Sequence, residues 1–436
     1  MSAAKPAPLS IDPVVNDILK RGVDQAEQGH PPEDRRRLSD LVRAYFAHVD
    51  PADLVGSDPA DLVGMVTSHR RLALQREVGA TKIAVFTPTI ARNGWSCGHT
   101  VLQVVTDDMP FLVDSASLSI TRAGHDLHLL IHPQLVVLRD DGGRLQRVVG
   151  LLSDHPRGTW PEGAIAEAWI TIEINRESDP AELVAIEQRA AHALSDVRAA
   201  VRDWPRMKEV AVALAQELRD APPSTVDAAE AAEDADFLDW LADDHFTFLG
   251  YREYDLVDDD QALRPVPGSS LGIMREAATD STSFRKLAPA VREKAVEPHP
   301  LVLTKANTRS TVHRNTYLDY VGVKRFDADG KVVGERRFLG LYTGSSYAQP
   351  LSMIPVLRRL EQQTADMAGV DASSHRGKDF LHFIESYPRD DLFQVGAEEL
   401  YQVGTAVLGM QERRMVRVFL RRDAYGRFYS VLVYLP

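Results

Sequence analysis

Cysteine is almost absent from this chain. Cys97 is the single one in 436 residues, which excludes an internal disulfide framework and any CxxC metal or redox pair. A chain of this size without disulfides is expected in a reducing compartment, the cytoplasm. Basic charge is short as well: 50 Lys and Arg face 63 Asp and Glu, for a formal net charge of -13. A nucleic-acid partner would demand the opposite surplus, to neutralise phosphates, and the triplet Arg35, Arg36 and Arg37 reads as a solvated helix face. No run approaches the ~18 apolar residues of a membrane span, and the opening MSAAKPAPLSIDP has no signal-peptide core. Nucleotide fingerprints are missing too: no GxGxxG follows a strand pattern and no GxxxxGK[ST] occurs. Neither NAD binding nor hydride transfer is therefore expected of these residues, and no catalytic, cofactor-binding or metal residue is assigned.

What is present is the composition of a folded protein, 44% hydrophobic to fill cores and 26% charged to cover them. The length predicts two to three domains. Residues 1–80 read as a helical amino-terminal segment, with a helix that Ser10 can cap carrying Val14, Val15, Ile18 and Leu19. A second follows on Leu38, Leu41, Val42, Tyr45, Phe46 and Val49. The hexapeptide PADLVG then occurs twice, at 51–56 and 59–64, with Asp50 and Asp58 placed as caps. Residues 81–220 read as an α/β sandwich. A strand over 81–88 is followed by HTVLQVVTDD, a buried strand, MPFLVDSASLSITRAG, a helix that Asp107 and Asp108 can cap, and HDLHLLIHPQLVVLRD, a single long strand. AWITIEI and a long helix after Asp179 and Pro180 complete a ferredoxin-like split βαβ order.

Residues 221–236, with a Pro pair and an acidic tract, read as a linker. From Asp227 to Asp244 there are eight acidic residues and no basic one, which reads as the linker running into the acidic start of a helix, favoured by the helix dipole. A second α+β domain spans 237–368, with an evident hairpin around Asp327 to Gly330. A helical connector over 369–412 leads to a final hairpin, 413–436, whose strands flank Asp423 to Gly426.

Four of these segments carry a family resemblance: DDMPFLVDS at 107–115, DDHFTFLGYREY at 243–254, ESYPRDDLFQ at 385–394 and FLRRDAYGRFYSVLVYLP at 419–436. In this order they resemble the amino-terminal part of the large bacterial NAD-specific glutamate dehydrogenases. The resemblance implies an ACT-type domain, a PAS-like domain and the truncated start of a further ACT-like domain. It also implies a parent enzyme that converts glutamate to 2-oxoglutarate and ammonia with reduction of NAD and assembles as a homo-oligomer. The family's catalytic domain lies far towards the carboxyl end, so this chain alone is expected to be inactive and to regulate or assemble, with a small amino acid as effector. The alternative is a stand-alone amino-acid-sensing or interaction protein.

An ACT-type ligand would sit in the turn after the first strand of the βαβ unit, where a helix start offers free backbone donors. That nominates Thr106, Asp107, Asp108, Met109 and Pro110, beside the plainer reading of capping. Other patterns read as structural. Gly94-Trp95-Ser96-Cys97-Gly98 is a literal GxSxG, yet a strand follows the serine where a nucleophile elbow needs a helix. His125, His128 and His132 would not share an ion, since His128 and His132 on one strand lie roughly 13 Å apart at ~3.3 Å per residue. Arg309, His313 and Arg314 in TRSTVHR read as a polar strand with some capacity for an anion.

Overall fold

A computed structural model of the chain describes residues 13–26, 32–257, 262–275, 285–371, 373–410, 413, 415–423 and 428–435. Ser10 and the turn residues 424–426, both named above, lie outside them. The chain divides into two compact units, Met1–Arg198 with Thr311–Asn315, and Ala199–Ser310 with Thr316–Pro436.

The first unit opens with four helices, α1 Pro13–Ala26, α2 Pro32–Phe46, α3 Pro51–Leu54 and α4 Pro59–Ala73. Both copies of the hexapeptide start a helix in the same way. Asp50 and Asp58 accept the backbone N–H of Ala52 and Ala60 at 2.9 and 2.8 Å, with a proline in the first turn. The copies then diverge. Gly56, at φ 98°, ends α3 after one turn, whereas Gly64 stays helical and the Trp95 side chain packs where its Cβ would be.

The sheet of this unit comprises β1 Lys82–Phe86, then, after the single turn α5 Ile90–Asn93, β2 Thr100–Asp107. Helix α6 Leu112–Thr121 leads to β3 Leu127–Ile131, β4 Gln134–Arg139, β5 Leu145–Leu151 and β6 Ala164–Ile174. The strand order is β1-β2-β6-β4-β5, with β3 also on β6. Because β2 and β4 both run antiparallel to β6, they are parallel to each other with β6 between them. This is the split βαβ arrangement. Helix α7, Pro180–Asp220, follows, and its Ile186, Ala190, Leu194 and Val197 are buried at helical spacing.

Two expectations are corrected here. The long strand after α6 is broken at His132–Pro133, where proline cannot donate to a ladder, and β5 adds a strand beyond the pattern read from sequence. Nor do Asp107 and Asp108 cap α6. Asp107 remains in the ladder opposite Glu167, and Phe111 makes the turn into the helix at φ 70°.

Alternation sorts β2 and β6 onto two faces. Val101, Val105 and Trp169 pack in one core with the buried residues of α1 to α4. The same face buries polar groups, and these are matched to partners on the helices. His69 on α4 lies 2.7 Å from the Tyr45 hydroxyl through Nδ1 and 3.0 Å from the Val104 carbonyl through Nε2. That carbonyl requires Nε2 to carry the proton, which leaves Nδ1 to accept from Tyr45. Gln103 Nε2 donates to the Met65 carbonyl, and Gln103 Oε1 accepts from the Ser68 hydroxyl.

In the second unit α8 Ala228–Trp240 precedes β7 Phe246–Val257, β8 Ala262–Pro265, β9 Leu271–Gly272 and β10 Arg285–Lys286. Next come α9 Pro289–Val296, β11 Leu301–Arg309, β12 Tyr317–Phe326 and β13 Val332–Tyr342. The sheet runs β10-β8-β7-β13-β12-β11, with β9 on β7. Asp327 Oδ1 accepts the N–H groups of Asp329 and Lys331, and Gly330 adopts φ 79°, closing the hairpin expected there. One sheet face carries Phe246, Phe248, Tyr251, Val321, Val323 and Phe338 into a core with Met207, Ala211 and Leu214.

The helix expected to start in the acidic stretch is α8, which begins inside the span read as a linker, with Asp227 as its N-cap. Its carboxylates meet arginines that sequence distance concealed: Glu233 and Asp236 bond Arg358, and Asp236 and Asp239 bond Arg219. Helices α10 Gly344–Ala348, α11 Leu357–Ala368, α12 His375–Ser386, α13 Arg389–Leu392 and α14 Ala397–Leu408 follow, and then the hairpin β14 Arg417–Arg422 with β15 Tyr429–Tyr434. Phe419, Leu432 and Tyr434 pack against the second core, so one hairpin face is covered, while Val418, Leu420, Val431 and Val433 are exposed.

The buried His69 makes stability depend on pH. Desolvation lowers its pKa from 6.5 to about 3, so the folded chain keeps the ring neutral while the unfolded chain protonates it. The stability present above pH 6.5 should therefore fall progressively as the pH drops towards 3. Melting temperatures measured across that window should decline less steeply in His69→Gln than in the parent chain.

Candidate functional site

The loop nominated from sequence lies at the end of β2, and its side chains are engaged within the first unit. Thr106 is buried and accepts from Arg198 Nη2 at 2.7 Å, while Asp107 is bound by Arg198 Nη1 at 2.7 Å and Arg76 Nη2 at 2.9 Å. Asp108 accepts from the Gln134 side-chain amide at 2.9 Å, and its N–H donates to the Ala166 carbonyl. Met109 is half-buried and Pro110 exposed.

Beneath the loop lies a charge network. Glu167, fully buried, takes Arg76 Nη2 at 2.6 Å and Arg139 Nε at 2.5 Å on one oxygen, and Arg139 Nη2 and Trp169 Nε1 at 3.0 Å on the other. Desolvation works against the ionised carboxylate. The hydrogen bonds from Arg139, the charge of Arg76 and the indole N–H outweigh it and hold the Glu167 pKa below the usual range. Asp107 is lowered likewise, burial being outweighed by Arg198 and Arg76.

A different arrangement occupies the second unit. On the sheet face opposite its aromatic core, β7, β13, β12 and β11 line a cavity of about 690 Å³, with residues 286–295 along another side. That volume suits a small metabolite. Arg337 on β13 stands directly opposite Arg252 on β7, and on its other flank opposite Gly322 on β12. The Arg337 guanidinium lies between two phenol rings, 4.1 Å from the Tyr254 centroid and 4.8 Å from that of Tyr320, a cation–π sandwich. Gly322 leaves room for this packing, since a Cβ there would come to 3.0 Å from the Tyr320 ring and the Glu335 carboxyl.

Glu335 accepts from Arg337 Nε at 3.1 Å and from the Tyr320 hydroxyl. Desolvation opposes the Arg337 charge, but Tyr320, Glu335 and Tyr254 outweigh it and raise its pKa. Arg252 donates to the Ser270 hydroxyl at 2.8 Å and to the Met274 carbonyl, both neutral. With Lys286 also lining it, the cavity carries three cations against one carboxylate.

The remaining candidates are dispersed. His125 pairs with Glu182, His128 bonds Asn175, and His132 is desolvated and so held below the usual histidine pKa. Arg309 covers the Tyr317 ring, and His313 is 2.7 Å from Asp114. Ser96 lies between α5 and β2, and its N–H donates to Asp61. No helix among the described residues is long and apolar enough to cross a membrane. The cavity escaped the sequence reading. Alternation on β13, with Glu335, Arg337 and Leu339 on one face, was its only signal.

Comparison with known proteins defines the class first. Residues 41–190 match the glutamate dehydrogenase ACT1 domain, and residues 354–413 match glutamate dehydrogenase helical motif 1. The first match begins within α2 and ends within α7, and the second takes in α11 to α14. The NAD-specific glutamate dehydrogenase of Halomonas elongata is 38% identical over 96% of this chain, that of Pseudomonas aeruginosa 35% over 92%, and that of Mycobacterium tuberculosis 28% over 91%. The chain is homologous to the amino-terminal part of the large NAD-specific glutamate dehydrogenases. It spans about a quarter of these relatives' length, 26% of the first and 23% of the other two. A solved RNA-binding light-oxygen-voltage receptor aligns with 74% of this chain and 91% of its own at a TM-score of 0.13 and 11% identity, too low to bear on the fold.

The network under the loop sets a stability test. Glu167→Gln leaves Arg76 and Arg139 buried against a neutral amide, and should cost about 3–5 kcal/mol in denaturant unfolding. Arg198→Ala, at a partly exposed position, should cost clearly less.

Proposed function

We propose that this chain is a regulatory and assembly portion of an NAD-dependent glutamate dehydrogenase, and that the oxidation of glutamate to 2-oxoglutarate is carried out by residues outside it. The homology over nearly the whole chain supports the first part. The seven-stranded sheet and its cavity fit a PAS-like sensor, and self-association of the ACT-type unit fits a homo-oligomeric enzyme of the cytoplasm.

The single observation that carries the regulatory reading is the facing pair Arg252 and Arg337 in a half-apolar cavity lined by three cations and one carboxylate. Such a site favours a small anionic metabolite, an amino acid or other small carboxylate. A carboxylate placed between the two guanidiniums would make charge-assisted hydrogen bonds, and the phenol rings and Leu263, Val302 and Leu339 would hold an apolar body. Occupancy would bias the assembled enzyme by a coupling of about 1–3 kcal/mol. The loop Thr106–Pro110 enters this reading as an anchor of the ACT-type unit, its side chains already bonded.

Calorimetric titration of the chain with a panel of amino acids and small dicarboxylates should yield at least one saturable heat, weakened about tenfold or more by Arg337→Leu, the loss of a charged hydrogen-bond pair. Flat traces across the panel, or binding unaltered in that variant, would overturn the effector reading. The division of labour is tested separately. A steady-state assay of the chain alone should form no NADH from glutamate, and turnover would refute it.

A further inference from the structure

Three side chains that the regulatory reading leaves unused meet at one end of the first sheet. Cys97 and His99 flank Gly98, whose φ of 79° turns the chain just ahead of β2. Glu173 lies on β6, opposite Val101 on one side and Leu129 on the other. One donor atom from each residue, the thiol sulfur, a ring nitrogen and a carboxylate oxygen, lies within 4.8 Å of the other two. His99 Nδ1 is 2.8 Å from Glu173 Oε2. The His128 ring stacks on that of His99 at 4.3 Å and 2°, while His128 Nε2 lies 2.6 Å from Asn175. This stack holds the His99 imidazole with Nδ1 towards Glu173. Glu173 is buried and the other two are half-buried, so the cluster reaches solvent from the Cys97 and His99 side.

We propose that Cys97, His99 and Glu173 bind a divalent transition-metal ion of the zinc type. Thiolate, imidazole and carboxylate are the donor set zinc takes, whereas calcium and magnesium select oxygen. Three protein donors leave a fourth tetrahedral position for water. Charge agrees with burial: one thiolate and one carboxylate cancel a divalent cation, so the complex is neutral where an unbalanced ion would be costly. In binding, the Cys97 S–H bond breaks, a sulfur–metal bond forms and the proton passes to solvent, with no change of oxidation state. Burial and the neighbouring Glu173 push the free thiol up to about 12. Affinity should therefore climb with pH, since the ion must displace that proton.

The site was hidden from sequence because Glu173 is far along the chain from Cys97 and His99. Only the β2–β6 register brings it alongside. It belongs to the first unit and shares no residue with the cavity, and its test bears on neither the effector nor the division of labour.

The test uses the full chain, free of affinity tags and washed with chelator. Titration with cobalt(II) should saturate at one equivalent and develop a thiolate-to-cobalt charge-transfer band with four-coordinate d–d absorption. Cys97 is the sole cysteine, so that band reports this site alone. Cys97→Ser should abolish it, and Glu173→Gln and His99→Ala should each weaken binding by about tenfold or more. A second arm needs no variant: zinc should slow alkylation of Cys97 in the parent chain by about tenfold or more. Absence of a charge-transfer band at saturating cobalt, or an alkylation rate indifferent to zinc, would overturn the proposal.

Discussion

Glu167 is the residue on which the first unit turns. It occupies β6, the strand between β2 and β4, and is fully buried there, an expensive place for a charge unless every lone pair is used. Arg76 reaches it from the segment after α4, and Arg139 from the end of β4. Each guanidinium also binds backbone carbonyls: Arg139 those of Ala73 and Gly143, Arg76 that of Ala80. One carboxylate thus ties the end of the helical segment, the approach to β1 and the β4–β5 turn to the middle of the sheet. Arg76 extends the tie to Asp107, and Asp107 to Arg198 on α7. The start of the loop after β2 is therefore held by charge at Asp107, which stays in the ladder.

The second unit solves the opposite problem. Its sheet packs an aromatic face into a continuous core and gives the other face to a cavity. Opposed arginines on neighbouring strands are destabilising when empty. Here the two phenol rings and Glu335 offset part of the repulsion. The arginines of α7 and α11 meanwhile neutralise the acidic face of α8. The acidic tract after the Pro pair is thus largely a packed helix.

Much of the fold was legible in local pattern. The two aspartate-capped PADLVG starts, the buried β2 and the Asp327–Gly330 turn each follow from rules that act within a few residues. The misses differ in kind. The strand break follows from Pro133 and the start of α8 from its cap Asp227, both local signals, whereas the engagement of Asp107 is settled by Arg76 and Arg198, far along the chain. Of the candidate sites, the loop at 106–110 was located by pattern, but the partners of its side chains were not. The Arg252–Arg337 cavity and the Cys97, His99 and Glu173 cluster depend on strand register, which no single stretch encodes.

The twin hexapeptides put the division most plainly. By itself, the amino-acid order determined that each begins a helix, because an aspartate and a proline act on the backbone at once and locally. Composition likewise determined a disulfide-free, acidic chain, and four ordered segments its kinship. Only the tertiary structure decided that one hexapeptide stops after a turn while the other runs on beneath Trp95, and which charged side chains face each other across the sheets. Hydrogen bonds within a turn need only neighbours, whereas burial, strand register and ion pairing need partners that folding alone brings within reach.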